Sequence, residues 1–238
     1  MMKPVQRAGF WVWEEKVGDL EIRFTGKGPA GSAEATLEAL EEVPPKVAFA
    51  KQVHSARVLV GHPGLCGEGD AVVTESSALA ASVLTADCVP VLVASDRAVA
   101  AVHAGWRGLV ADVIGAAIDQ LPGSEDRLQA WIGPSIGVCC YEVGEEVANL
   151  VTASSQAEFA QPGPRGRPHL NLVAAAAFQL KESGVRRIGK VSACTRCDAE
   201  TLWSYRRDGA GAGRNRAFIW RHGPGTDEAR RQGGHHEA

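Results

Sequence analysis

The sequence predicts an α/β protein with mixed β-sheets. Strand-like segments dominate its first half, strands and helices alternate in its second half, and no linker is long enough to separate two domains. The length of 238 residues and the 45% hydrophobic content allow a sizeable core. We therefore expect one domain over residues 1–225, followed by a disordered tail at 226–238.

The charge balance and hydropathy exclude several classes of protein. The chain has 25 basic and 28 acidic residues, a net charge of -3, so it lacks the electrostatic footprint of a general nucleic-acid binder. No apolar run approaches the roughly 20 residues that a membrane helix needs. The N-terminus has neither the apolar region nor the cleavage site of a signal peptide, so we expect a cytoplasmic protein.

The first half of the chain is predicted to consist mainly of strands. Two strands begin near Phe10 and Glu21. Ser32 is placed to cap a short helix that contains Leu37 and Leu40 and that two prolines then end. Further strands are predicted from Lys46, Ala56, Asp70, Ser82, Pro90 and Ala98.

The second half alternates helices with strands. Apolar residues at helical spacing predict a helix from Leu109 to Leu121, and two more helices are predicted in EEVANLV and in NLVAAAAFQLKESG, the latter ended by Gly184. Strands are predicted in RLQAWIG, RIGKVS and RAFIWR. The segment QPGPRGRP from Gln161 is predicted to be a mobile loop.

Three segments place a metal-binding residue type beside a strand end: KQVHS with His54, LTADCVP with Cys88, and AVHAGWRG with His103. If the strands after Cys88 and before His103 pair, these two side chains become neighbours. A thiolate and two imidazoles suit zinc, and three protein ligands leave the fourth position open for water or substrate. On the residues alone, an exposed His54, a buried Cys88 and a hydrogen-bonded core His103 are an equally good interpretation.

The remaining cysteines offer a weaker signal. Cys194 and Cys197 form a CxxC, which indicates a redox pair or half of a structural zinc site. The adjacent Cys139 and Cys140 would supply the other half, although neighbouring cysteines rarely bind one metal comfortably.

Eight motifs in order resemble the YfiH or peptidoglycan editing factor family, also called the multicopper polyphenol oxidase (laccase) family: KQVHSARV, GDAVVT, LTADCVPVLV, AVHAGWRGL, IGPSIGVCCYEVG, HLNL, CTRC and SYRRDGAGAGR. The resemblance covers Phe10 to Arg221. It implies a single catalytic domain, a layered sandwich of mixed β-sheets with flanking helices, similar to the catalytic fold of the cytotoxic necrotizing factors. It also implies that His54, Cys88 and His103 bind zinc, with Cys88 and His103 at the reaction centre.

The same resemblance implies a purine nucleoside phosphorylase that acts on adenosine, inosine, guanosine and methylthioadenosine and that also deaminates adenosine. Small-molecule nucleoside and phosphate are then the partners, and the oligomeric state is left open. Arginine binds phosphate bidentately, so Arg107, Arg206, Arg207 and Arg214 are the candidate phosphate ligands. Gly209, Gly211 and Gly213 accompany them, although a solvated surface loop is an alternative.

The laccase name can be tested against the histidine count. A four-copper oxidase needs about a dozen ligands, mostly imidazoles. The chain has seven histidines and no His-x-His pair, so we do not expect a four-copper cluster or polyphenol oxidation. Copper at the open zinc site remains an alternative metal, because divalent copper binds most nitrogen sites more tightly than zinc does.

Deamination lacks its usual signature here. The zinc deaminases place a glutamate in an H-x-E context, and neither His54 nor His103 has one. Asp70 and Asp87 are the acidic residues nearest the motifs and the nearest candidates for a proton shuttle. Each could equally be an aspartate that caps a turn.

Two competing functions follow from the same residues. In one, Cys88 and His103 act without metal as nucleophile and base of an amidase or deamidase. The family resemblance implies peptidoglycan precursor editing as the role of such an enzyme. In the other, the protein holds zinc for regulation without turnover. His54 discriminates, because a cysteine–histidine dyad does not need it and a three-ligand zinc site does.

Overall fold

A computed structural model describes residues 2–29, 35–41 and 45–223. The strands are β1 (Pro4–Arg7), β2 (Phe10–Val17), β3 (Leu20–Thr25), β4 (Lys46–Lys51), β5 (Val58–Val60), β6 (Gly64–Glu68), β7 (Ala71–Thr74), β8 (Leu79–Thr85), β9 (Val89–Ala94), β10 (Val99–Ala104), β11 (Gln129–Ile132), β12 (Ala160–Pro162), β13 (Pro168–Leu170), β14 (Arg187–Lys190) and β15 (Asn215–Arg221). The α-helices are α1 (Leu37–Leu40), α2 (Trp106–Val110), α3 (Val113–Asp119), α4 (Glu145–Ser155), α5 (Leu172–Glu182) and α6 (Tyr205–Asp208).

Two mixed sheets form the centre of the fold, which confirms the predicted α/β class. The first sheet has the order β1-β2-β3-β15-β8-β4-β6, and the second has the order β14-β11-β9-β10-β7-β5. Parallel pairs lie at the β6 end of the first sheet and at both ends of the second, and the other pairs are antiparallel. The last strand, β15, lies between β3 and β8, so the C-terminal strand is held inside the sheet that begins the chain.

The sheets and helices stack in layers. Inward residues of the first sheet, such as Ile22 and Ile219, share a core with Leu92 and Ala101 of the second sheet. The opposite face of the second sheet packs against α2 to α5 through a separate core. Strands β9 and β10 are buried along their whole length because both faces are covered. The layered sandwich with flanking helices is therefore confirmed.

The prediction of a single helix from Leu109 to Leu121 is wrong in one respect, since this part of the chain forms two helices. Asp112 between α2 and α3 has φ of 56°, and its side chain accepts the backbone N–H of Gly115 to cap α3. The apolar residues keep helical spacing on both sides of this break, so their pattern does not reveal it.

One further prediction differs from the structure, and two others concern residues that the structure does not describe. The segment predicted to be a mobile loop from Gln161 forms the hairpin β12–β13, which the Gly163 N–H to Arg167 carbonyl bond closes. Thr36 caps α1 by accepting the N–H of Ala39, while the predicted cap Ser32 lies outside the described residues. The predicted tail at 226–238 also lies outside them. No helix in the described ranges has the length and apolarity needed to cross a membrane.

Candidate metal centre and substrate cavity

Strand pairing brings two of the three candidate ligands together. In the antiparallel register of β9 and β10, His103 lies opposite Pro90 and Ala104 lies opposite Val89. Cys88 immediately precedes β9, so its side chain meets the end of β10, as the sequence predicted. The strands that carry these residues are buried on both faces, which fixes their position.

His54 reaches the same point from a loop after β4. Its backbone adopts φ of 60°, a conformation that side-chain-bearing residues rarely hold without support. Its Nε2 lies 3.9 Å from Cys88 Sγ. The ligand atoms of His54, Cys88 and His103 all lie within 4.8 Å of one another.

A buried carboxylate organises this set. Asp70 accepts hydrogen bonds from His103 Nδ1 at 2.8 Å and from the backbone N–H groups of His54 at 3.0 Å and Ser55 at 2.6 Å. Its hydrogen bond to Nδ1 leaves Nε2 of His103 to face Cys88 as a ligand atom. The strained loop of His54 is therefore held by the same group that orients His103, and Asp70 acts as a positioning residue.

The glycine at the start of α2 allows the ligands to approach. A Cβ atom at Gly105 would lie 3.1 Å from both Cys88 Sγ and His54 Cδ2. This is tighter than ordinary van der Waals contact, so any larger residue would push the two ligands apart. Steric crowding therefore explains why glycine occupies position 105 of the HAGWRG motif.

The three titratable groups hold one another in charged forms. Burial raises the pKa of the Cys88 thiol, but hydrogen bonds and charges from His103 and His54 outweigh it and lower the pKa to about 6. Burial lowers the pKa of His103, but Asp70 and Cys88 raise it to about 9. Although burial raises the pKa of Asp70, hydrogen bonds from His103 and Ser55 hold it well below its ordinary value.

This donor set fits a single metal ion. One thiolate and two imidazoles are ligands that zinc accepts in tetrahedral sites, and three protein ligands leave one position open. The described residues contain only one other group of three or more His, Cys, Asp or Glu close enough to share a metal, and it consists of cysteines. The imidazoles that a four-copper cluster requires are thus not gathered at this centre.

A cavity of about 670 Å³ opens onto the three ligands. This volume is in the range of small-molecule sites. Trp106 and Tyr141 supply aromatic surface to its wall. Burial and the charge of Cys88 raise the pKa of Tyr141 to about 12, so its hydroxyl stays protonated near neutral pH.

Three of the four arginines predicted to bind phosphate line this cavity: Arg107, Arg206 and Arg214. Arg107 stacks on Trp106 at 4.3 Å and makes no hydrogen bond or ion pair to another described residue. Arg206 stacks on Tyr141 and donates to the Glu142 carbonyl at 2.8 Å.

Arg207 faces elsewhere. Its guanidinium donates to the carbonyls of Thr195 and Leu202, both at 2.7 Å, and pairs with Asp208. It does not line the cavity, and these contacts give it a structural role between two loops. The sequence alone did not distinguish Arg207 from the neighbouring arginines that line the cavity.

Asp87, at φ of 103°, fixes the loop that carries Arg206. Its carboxylate accepts the Thr195 hydroxyl and the Arg206 backbone N–H, both at 2.6 Å. Of the two acidic residues near the motifs, Asp70 therefore holds His54 and His103, and Asp87 holds the loop of Arg206.

Comparisons with known proteins show the family of this chain. Residues 31–222 match the family described as multi-copper polyphenol oxidoreductase laccase. The chain is 37% identical over 191 residues to "Purine nucleoside phosphorylase YfiH" of Shigella flexneri, which covers 77% of each chain. It is 39% identical over 196 residues to a purine nucleoside phosphorylase of Streptomyces coelicolor, with 79% of this chain and 80% of that protein covered.

Solved structures share the fold. A crystal structure of a Neisseria meningitidis protein of the DUF152 family matches 90% of this chain and 100% of its own, with a TM-score of 0.77 and 30% identity. YlmD of Geobacillus stearothermophilus matches 93% of this chain and 99% of its own, with a TM-score of 0.79 and 23% identity.

Proposed function

Because this chain belongs to the multi-copper polyphenol oxidoreductase laccase family and its relatives are named purine nucleoside phosphorylases, we propose that it is a zinc-dependent purine nucleoside phosphorylase. The proposed substrates are adenosine, inosine, guanosine and methylthioadenosine, with adenosine deamination as a side activity. One observation carries the proposal: three side chains that could bind one metal ion and three arginines face one cavity.

Phosphorolysis forms a bond between a phosphate oxygen and C1′ of the ribose while the bond from C1′ to the purine nitrogen breaks. Arg107, Arg206 and Arg214 would bind and orient the phosphate, because guanidinium groups pair with its oxygens and keep their charge. Trp106 and Tyr141 offer rings on which a purine can stack. The protonated Tyr141 hydroxyl can donate a hydrogen bond to substrate.

His54, Cys88 and His103 would hold the zinc ion, with Asp70 orienting His103. A zinc ion bound there would supply a Lewis acid and would lower the pKa of water at the open position toward about 7, which is the chemistry that deamination needs. Copper is the alternative ion for the same three ligands.

The proposal also assigns the chain an organisation and a location. We take residues 1–225 as one catalytic domain, supported by the pairing of β15 with β3 and β8. A cytoplasmic location is supported by the free state of all six cysteines, since reducing compartments keep thiols unpaired.

Metal content and turnover on purified protein test the proposal together. We expect zinc at this centre, and adenine and ribose 1-phosphate formed from adenosine and phosphate before chelation but not after it. The His54→Ala variant should lose most of this zinc and most phosphorolysis, while His62→Ala, at an exposed histidine outside the centre, should keep both. Full activity in metal-free His54→Ala protein would contradict the proposal.

One observation favours a second candidate function. Asp70 orients His103 through a hydrogen bond to Nδ1, a ring nitrogen of His103 lies within 4.8 Å of Cys88 Sγ, and the pKa of the Cys88 thiol is lowered to about 6. A nucleophile, base and orienting acid of this kind serve amidases and deamidases without metal. Cys88-dependent release of ammonia or amine from peptidoglycan stem-peptide amides, unaffected by chelation or by His54→Ala, would support this candidate.

A further inference from the structure

A cluster of four cysteines lies apart from the group formed by His54, Cys88 and His103. Cys139 and Cys140 approach Cys194 and Cys197 although more than fifty residues of chain separate the pairs. The four Sγ atoms all lie within 4.8 Å of one another, and Cys197 Sγ is 3.3 Å from Cys140 Sγ and 3.7 Å from Cys139 Sγ. None of the catalytic steps proposed above uses these thiols.

The backbone explains how adjacent cysteines face one point. In a strand, successive side chains point to opposite faces, which is the reason to doubt such a pair as joint ligands. Here residues 138–140 form a turn, in which the N–H groups of Cys140 and Tyr141 both donate to the Gly137 carbonyl. The turn directs Cys139 and Cys140 toward Cys197 together.

The sulfur spacing suits a tetrahedral metal better than a disulfide. Zinc binds thiolate at about 2.3 Å, so four sulfurs at the corners of a tetrahedron lie about 3.8 Å apart. A disulfide requires sulfurs about 2.05 Å apart. The separations of 3.3 and 3.7 Å from Cys197 Sγ to the sulfurs of Cys140 and Cys139 lie close to the tetrahedral value.

Two of the four sulfurs accept hydrogen bonds from neighbouring groups. The Gly137 N–H donates to Cys194 Sγ at 3.2 Å. The Arg196 guanidinium donates to Cys140 Sγ at 3.6 Å. Hydrogen-bond donors around the sulfurs are a common feature of metal thiolate sites.

We propose that Cys139, Cys140, Cys194 and Cys197 bind a structural zinc ion. Each thiol would release its proton to solvent as its sulfur bonds to the metal, with no change in oxidation state. Because four protein ligands close the coordination shell, the ion would have no open position for substrate. This proposal does not depend on the reaction at Cys88.

The position of the cluster indicates what this zinc would hold. Tyr141 follows Cys140 and lines the substrate cavity, and Thr195 follows Cys194 and donates to Asp87. The zinc would therefore clamp the loop at 137–141 to the loop at 194–197, which together support one wall of the cavity. We expect its loss to loosen that wall without removing the ligands of the first centre.

The test uses the full chain with cobalt(II) as a spectroscopic probe and zinc for counting. A tetrathiolate site gives intense cobalt absorption and sulfur-to-cobalt charge transfer, whereas the first centre offers one thiolate. Cys88→Ser protein should keep most of this charge-transfer intensity and bind zinc with all-sulfur coordination by X-ray absorption. Cys197→Ser and Cys139→Ser, at two exposed positions, should each lose that signal and about one equivalent of zinc.

Cys66→Ser is the matched control, since Cys66 belongs to neither cluster and should leave both signals unchanged. The proposal is overturned if Cys197→Ser and Cys139→Ser bind as much zinc as the parent. It is also overturned if Cys88→Ser protein, purified with reductant and supplied with zinc, holds no metal, or if its four clustered thiols prove to be paired as disulfides. If zinc does not bind at His54, Cys88 and His103, only the proposed function is contradicted. The proposal for the four cysteines is tested independently of it.

Discussion

Asp70 Oδ1 accepts a 2.8 Å hydrogen bond from Nδ1 of His103, and the same oxygen accepts the backbone N–H of His54 at 3.0 Å. One buried carboxylate thus fixes a ring on β10 and the loop that brings the second imidazole. The proposed metal centre therefore depends on a residue that is not itself among its three proposed ligands.

Replacing Asp70 should therefore weaken metal binding. Asp70→Asn keeps the side-chain shape but removes the charge that orients His103 Nδ1–H, and loss of such partners costs about 10- to 100-fold in metal affinity or activity. Zinc affinity by competition with a chelator, together with phosphorolysis rate, measures the effect. Asp119→Asn at the exposed end of α3 is the control, and equal zinc affinity in both variants would contradict the role given to Asp70.

In metal-free protein, Cys88 should stay reactive at a lower pH than an ordinary cysteine does. Only the thiolate reacts with iodoacetamide, and its protonation below the pKa removes the nucleophile. With the pKa of Cys88 lowered from 9.0 to about 6, labelling should stay near its plateau as the pH falls and reach half near pH 6. Peptide mass spectrometry follows the label.

Unfolding supplies the comparison for this measurement. In denaturant His54 and His103 no longer face Cys88, so the half-point should return toward 9.0. A folded protein whose labelling already halves near that value would show that the histidines do not stabilise the thiolate.

Arg107 should contribute to phosphate binding, because its guanidinium lines the cavity and is held only by stacking on Trp106 within the described residues. Hydrogen bonds to charged groups contribute about 1.5 to 3 kcal/mol, so Arg107→Ala should raise the KM for phosphate roughly 10- to 100-fold. Initial rates at varied phosphate provide the measurement. Arg97→Ala, which removes an exposed pair with Glu75, should leave this KM unchanged, and an unchanged KM in Arg107→Ala would remove Arg107 from the phosphate site.

The packing of the two sheets predicts a stability difference between two leucines. Leu92 is fully buried between the sheets, whereas Leu65 on β6 is 53% exposed. Leu92→Ala should lower the free energy of unfolding by about 2 to 5 kcal/mol, since it removes buried methyl groups and leaves a cavity. Leu65→Ala should change it by well under 1 kcal/mol, which denaturant titration of both variants measures. Equal losses would contradict the sandwich packing.

Local patterns predicted much of the fold and part of the centre. Continuous apolar runs predicted β9 and β10, and the ends of these runs drew attention to Cys88 and His103, because strands buried on both faces consist of apolar residues. The split at Asp112 left no such trace, because a single left-handed residue interrupts the backbone without disturbing the apolar spacing. The hairpin from β12 to β13 was hidden by its many glycines and prolines, which also occur in loops.

The sequence by itself determined the residue types, the strand ends on which Cys88 and His103 lie, and the apolar faces that must be buried. Only the tertiary structure decided which distant segments meet. In the tertiary structure Asp70 bonds to His103, and Arg207 bonds to loop carbonyls outside the cavity. Four cysteines also lie close together there: Cys139, Cys140, Cys194 and Cys197. Such contacts depend on how whole sheets and loops pack, and a pattern of local spacing does not contain that information.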